Sequence, residues 1–280
     1  MKNPVKKIAA VHDLSGFGRC AFTVVIPTLS TMGCQVIPLP SATLSTHTGG
    51  FENMVFRSLT DDMMGWWEHW RREGVVFDAF YSGFLGSAEQ IEIVEDMISS
   101  CKDNTLIFID PVMGDDGELY STYTEQMRVG MKRLVKNAHV ITPNITEAVF
   151  LLDKQPKKSY TKEEVVDIVN SLSKICKGHI VVTGVEVEQK VGCAYYDKSA
   201  DNVCFYMHSK HEKSYPGTGD IFSSVVLGRI LAGKTLGESV RCACEFIYDV
   251  VGYSKQFDYP VREGVLLEAR LLELKNYEKR

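Results

Sequence analysis

Short apolar runs recur along this chain, and each closes on a polar or turn-forming residue. They read as strands at residues 7–11, 34–38, 79–82, 106–110, 139–141, 180–183, 191–195 and 203–207. In the run that begins at Leu106, four apolar residues follow one another, as in a strand buried on both faces. The stretches between carry helix-start signals. Ser87-x-x-Gln90 opens a helix to about residue 100, Thr161-x-x-Glu164 one to about residue 176 with Gly178 beyond it, and Thr235-x-x-Glu238 a third. Residues 220–232 and 262–275 complete the set. Strands alternating with helices require a mainly parallel sheet covered on both faces. Residues 191–207, with a polar turn in the middle, predict an antiparallel hairpin at one edge. Trp66, Trp67 and Trp70 fall at helical spacing and read as core or dimer contact.

Composition narrows the class. The chain has 280 residues, 45% of them hydrophobic, enough for one large core, so residues 1–280 are read as a single domain. A formal net charge of −5 argues against nucleic-acid binding, and basic pairs such as Lys157-Lys158 read as solvated surface. No stretch approaches the roughly 18 apolar residues of a membrane span. The N-terminal apolar run ends at His12-Asp13, which suits a first strand and not a signal peptide. Eight scattered cysteines without a Cys-x-x-Cys pair fit reduced thiols. Together these features suit a soluble, cytoplasmic enzyme. His208-Ser-Lys-His-Glu212 lacks a second ligand cluster and reads as a solvated loop rather than a zinc site.

The chemistry concentrates in three segments. Tyr215-Pro216-Gly217-Thr218-Gly219-Asp220 runs straight into an apolar helix. Glycines can turn successive N–H groups to one point, and a helix N-terminus adds unpaired donors and a positive dipole. Such a place suits an anion, with Asp220 beside it where an acceptor hydroxyl would lose its proton. The plainer alternative is an ordinary turn with Asp220 as a helix cap. Thr142-Pro143-Asn144 follows a strand, and Glu147 lies three residues on. That pattern is either an Asn-x-x-Glu capping box or a carboxylate placed to hold Mg²⁺ through water. In the third segment, Leu106-Ile-Phe-Ile ends in Asp110 and then turns. Strands that each end in a polar residue are what an open α/β sheet offers a ligand.

These segments, with Ala9-Val-His-Asp-Leu-Ser-Gly-Phe-Gly-Arg19, Ser45-Thr-His-Thr48 and Ser82-Gly-Phe-Leu-Gly-Ser-Ala-Glu-Gln90, resemble the pyridoxal kinase family of the ribokinase superfamily, over nearly the whole chain. Hydroxymethylpyrimidine kinases are the nearest relatives of that family. The resemblance implies a ribokinase-like three-layer α/β/α fold with ATP across the C-terminal strand ends. It implies phosphoryl transfer from ATP to the 5′-hydroxymethyl group of pyridoxal, pyridoxine or pyridoxamine. Asp220 would be the general base, with Gly217, Thr218 and Gly219 as the anion hole. Asp110, Thr142, Asn144 and Thr183 would contact the nucleotide, and Asp110 and Glu147 would organise Mg²⁺. Asp13, Thr48 and Phe84 would face the B6 ring, although Asp13 stands where many pyridoxal kinases carry serine. The resemblance further implies a homodimer and leaves a monovalent cation open. No Gly-x-x-x-x-Gly-Lys-Ser/Thr loop is present, so a P-loop kinase is excluded. Two readings stay beside it: a hydroxymethylpyrimidine kinase, which would share every ATP residue, and a non-catalytic B6 or nucleotide binder, against which the retained Asp220 argues.

Overall fold

In the computed structural model, which describes residues 4–277, the elements run β1 (Lys6–Phe17), α1 (Phe22–Thr31), β2 (Cys34–Thr46), β3 (Phe56–Ser58), α2 (Thr60–Arg72), β4 (Ala79–Ser82), α3 (Ala88–Ser99), β5 (Leu106–Ile109), β6 (Gly114–Asp115), β7 (Glu118–Leu119), α4 (Glu125–Leu134), β8 (Val140–Ile141), α5 (Ile145–Leu151), α6 (Lys162–Leu172), β9 (His179–Val187), β10 (Lys190–Asp197), β11 (Asn202–Ser209), α7 (Thr218–Leu231), α8 (Leu236–Ser254) and α9 (Leu274–Tyr277). Among the described residues, nine strands form one sheet in the order β11-β10-β9-β8-β5-β4-β1-β2-β3. From β2 through β9 every pairing is parallel. The β10–β11 hairpin is antiparallel at one edge, as expected, and β3 is antiparallel at the other.

Alternation along the strands divides the core. In β1, Ala9 and Val11 join the cluster under α2–α6, while Ile8 and Ala10 join the cluster under α1, α7 and α8. This is the three-layer arrangement, each face dry because its helices cover it. Expected helix starts are found: Ser87, Thr161 and Thr235 accept from the backbone N–H three residues on, the last two in full capping boxes.

Several boundaries differ from the sequence reading. β1 and β2 run well past residues 11 and 38. Pro38 and Pro40 sit inside β2 without harm, because β3 pairs only with Ala42, Thr43 and Leu44 and leaves the proline stretch at an edge. α6 ends at Leu172, short of residue 176. Beyond it the chain must pass so close to β8 that a Cβ on Gly178 would lie 2.1 Å from the His139 carbonyl oxygen. The helix expected at 262–275 is not formed. Three 3-10 turns (Val261–Glu263, Leu267–Ala269, Leu271–Glu273) and the single turn of α9 replace it. Tertiary contacts override its helical pattern. Gly264 takes φ +81°, and Arg19 N donates to Glu263 O, which pins the segment to the loop before α1.

Candidate active site

Parallel strands bring their C-terminal ends to one edge of the sheet. Asp13, Phe84, Asp110, Thr142 and Thr183 all arrive there, and the N-terminus of α7 meets them. They line a cleft of ≈ 1220 Å³, and all twelve residues nominated from the sequence lie on its wall.

The anion turn forms as its glycines require. Gly217 is left-handed, φ +78°, and a Cβ there would fall 2.0 Å from the Arg19 carbonyl oxygen. At Gly219 a Cβ would meet nothing, so the first turn of α7 is open on that side. Asp220 does not cap the helix: Gly217 holds the N-cap position. Its carboxylate turns instead to the loop before α1, where Oδ2 accepts from Ala21 N at 2.8 Å and Cys20 Sγ at 3.4 Å. Ala21 holds φ 49° and ψ −131°, a strained backbone for a residue with a Cβ, and that conformation presents its N–H to Asp220. About 13% of the Asp220 side chain remains exposed.

Among the carboxylates on this wall, Asp13, Asp110, Glu147 and Asp220 are linked to one another electrostatically. Asp13, Asp110 and Glu147 are buried. Burial, opposed by the Ser15 hydroxyl at 2.7 Å, lifts Asp13 to about 6, and the charge of Asp220 adds to the rise. Burial and the charge of Asp220 raise Asp110 to about 8, although Ser223 Oγ donates to it at 3.0 Å. Burial also raises Asp220, and burial with the charge of Asp110 holds Glu147 well above the usual carboxylate range. Glu147 forms the capping box in full. Its backbone N–H donates to Asn144 Oδ1, its Oε2 accepts from Asn144 N at 2.8 Å, and its Oε1 accepts from Met113 N at 3.0 Å. Asn144 Nδ2 donates to Gly114 O at 2.7 Å, so this side chain ties α5 to the β6–β7 hairpin.

Clustered acids with raised pKa values and no bonded basic partner call for a cation. Among the described residues, no three His, Cys, Asp or Glu side chains converge closely enough to cage a metal. The donor set fits Mg²⁺ held through water and phosphate oxygens, its usual mode of binding. Lys157, Lys158, Lys210 and Lys213 stand on the cleft wall, so the first two are not only solvated surface. Lys157 pairs with Glu164 and Lys210 with Glu186. The 208–212 segment holds no metal cluster among the described residues. His208 and His211 pack on the Tyr248 ring at 4.7 and 4.3 Å.

Sequence reasoning missed His12, Cys20 and Ser223. Ser223 was within reach, since it stands one helical turn after Asp220 on α7. The other two reach the site only through the packing of β1 and the loop before α1.

Comparison with known proteins adds the rest. A family model described as phosphomethylpyrimidine kinase matches residues 67–262. A candidate phosphomethylpyrimidine kinase from Bacteroides thetaiotaomicron, solved with pyridoxal, is 41% identical with a TM-score of 0.93, covering 97% of this chain and 96% of that one. Pyridoxal kinase from Lactobacillus plantarum is 27% identical with a TM-score of 0.91, covering 98% of both chains. A candidate pyridoxal kinase from Schizosaccharomyces pombe is 28% identical over 170 residues, 56% of this chain, and the match spans only about half of that protein, 47%. No helix among the described residues is long and apolar enough to cross a membrane. The breadth of the family match, together with the likeness to a solved pyridoxal kinase across nearly all of both chains, means that this chain belongs to the phosphomethylpyrimidine kinase family, among its pyridoxal kinases.

Proposed function

We propose that this protein transfers the γ-phosphoryl group of ATP to the 5′-hydroxymethyl group of pyridoxal, pyridoxine or pyridoxamine, with Asp220 as general base. The observation that carries the reading is the junction of Gly217 and α7. An open, donor-rich turn stands beside a carboxylate whose Oδ2 is held by Ala21 and Cys20. Oδ1 is then free to take the hydroxyl proton. Backbone N–H groups at Gly217, Thr218 and Gly219 stabilise charge on the transferring group, and such electrostatics carries much of phosphoryl transfer. Burial raises Asp220 and so strengthens it as a base once ionised. Thr142, Asn144 and Thr183 line the nucleotide end, and Lys157, Lys158, Lys210 and Lys213 supply positive charge there. Asp110 and Glu147 would hold Mg²⁺, which when bound neutralises phosphate charge. Asp13, Thr48 and Phe84 form the acceptor end, and the relative solved with pyridoxal supports a B6 vitamer there.

The same reading makes residues 1–280 one domain acting in the cytoplasm as a homodimer. The exposed apolar side chains Phe17, Val55 and Phe56 near the β3 edge support the last point.

Asp220→Asn tests the reading, because it keeps shape and removes basicity. The kcat for pyridoxal should fall by about 10²-fold or more with little change in ATP KM. Near-normal turnover would remove Asp220 from the mechanism.

A further inference from the structure

Beneath the cleft, behind Asp220, lies a histidine that no motif singled out. His12 in β1 is fully buried, and neither ring nitrogen has a hydrogen-bond partner among the described residues. Tyr81 meets the ring edge-on, with centroids 4.4 Å apart, and Phe22 lies at 5.5 Å. Gly83 closes the third side. A Cβ there would fall 2.2 Å from the imidazole, so the ring occupies the space that the glycine leaves. The wedged ring points Nδ1 toward Asp220 Oδ1 at 4.0 Å.

Buried polar groups in folded proteins are almost always paired, so two orphaned nitrogens beside a carboxylate need a physical account. Burial drives His12 down to about 3, so the ring is neutral and offers one N–H and one acceptor. At 4.0 Å the pair is about 1 Å beyond a hydrogen bond. Catalytic hydrogen bonds often stand long without substrate and tighten in the working complex.

We propose that His12 is a positioning residue whose neutral Nδ1–H donates to Asp220 Oδ1 in the working complex, fixing the rotation of the carboxylate and favouring its ionised form. This rests on Asp220 being the base. Oδ2 is already held by Ala21 and Cys20, so a third donor on Oδ1 leaves its remaining lone pair toward the cleft and the acceptor hydroxyl. The other groups that act on Asp220, or feel its charge, are Asp13 of β1, Cys20 before α1, His47 after β2, Tyr81 of β4, Asp110 after β5 and Tyr120 after β7. Asp13 and Asp110 are acids and oppose its ionisation. Cys20 is already bonded to Oδ2, and His47 acts in the favourable direction. His12 supplies what these do not, a dry and oriented donor on Oδ1.

Two substitutions separate this role from packing. His12→Phe keeps a flat ring and loses the N–H. His12→Asn keeps a donor near the Nδ1 position and loses the ring. The kcat for pyridoxal is measured from about pH 6 to 9, with ATP KM and thermal melting as controls for folding and Asp220→Asn as reference. The Phe variant should lose activity progressively toward pH 6, by up to about tenfold for one pKa unit of base ionisation, and recover to within about twofold near pH 9. The Asn variant should keep a profile close to the parent. An active Phe variant beside an impaired Asn variant would make the ring packing alone and overturn the proposal, as would equal, pH-independent losses in both. If the Phe variant does not fold, the Asn variant decides: a retained acid limb supports the role and a lost one overturns it. Near-normal turnover in Asp220→Asn would sink the base assignment itself, whereas an inactive Asp220→Asn beside a flat Phe profile would sink only the role of His12.

Discussion

Asp13 keeps a carboxylate in a place where burial and the charge of Asp220 both oppose its ionisation. A group held against that cost, lining the cleft with Phe84 at the end we propose for the acceptor, is expected to meet a hydrogen-bonding ring edge. Asp13→Ala should raise vitamer KM roughly tenfold and Phe84→Ala by several-fold to about tenfold while ATP KM stays nearly unchanged, since a lost buried partner is worth about 1–3 kcal/mol and a lost aromatic stack about 0.5–1.5 kcal/mol. Steady-state kinetics with each substrate varied in turn checks this, and an equal rise in ATP KM would count against the acceptor assignment. At this scale the sequence was legible wherever a side chain sits beside a turn signal. Gly217, Asp220 and Asp110 announce themselves that way. His12 does not, because its role depends on Gly83 and Tyr81, about 70 residues away in the chain and brought beside it only by the β1–β4 pairing.

Among the elements, α5 shows two expectations meeting in one residue. Glu147 completes the capping box and also faces the acid cluster, so structure and metal binding can draw on the same carboxylate. Glu147→Gln offers one carbonyl oxygen where Asn144 N and Met113 N each require an acceptor. The Mg²⁺ concentration for half-maximal rate should rise by about tenfold, as for other groups that orient metal-bound water. Melting temperature should fall as well, because a buried N–H loses its partner. A lower melting temperature with an unchanged Mg²⁺ titration would leave the capping role alone. Elements whose local signals agree with tertiary packing, such as α3, α6 and α8 with their Ser or Thr caps, were readable from the chain. The 262–275 segment was not, because Arg19 and Gly264 decide its path from outside.

For the molecule as a whole, the acid cluster sets a pH dependence. Asp110 and Glu147 have folded pKa values above their unfolded ones, so at these two sites the folded chain holds more protons than the unfolded chain between about pH 4 and 8. Stability from these groups therefore falls as pH rises through that window. Buried His12 acts in the opposite direction, but only below about pH 6.5, where an unfolded histidine gains its proton. From about pH 6.5 to 8 the acids dominate, and melting temperature should fall without Mg²⁺ and nucleotide. Asp110→Asn should flatten that slope and raise melting temperature at about pH 8, by roughly 2–4 °C for each kcal/mol relieved, while lowering activity. A slope unchanged by the substitution would mean that Asp110 is ionised at little cost. The alternation of strands and helices made the sheet legible, and the strand ends made the cleft legible. The choice of acceptor rests on cleft shape and on the relatives. It is tested most directly by an ATP-coupled assay of kcat/KM for pyridoxal, pyridoxine, pyridoxamine and hydroxymethylpyrimidine. The best B6 vitamer should exceed the pyrimidine by at least about tenfold, roughly 1.4 kcal/mol. A pyrimidine preferred by the same margin would contradict the B6 assignment and leave the fold and the Asp220 turn standing.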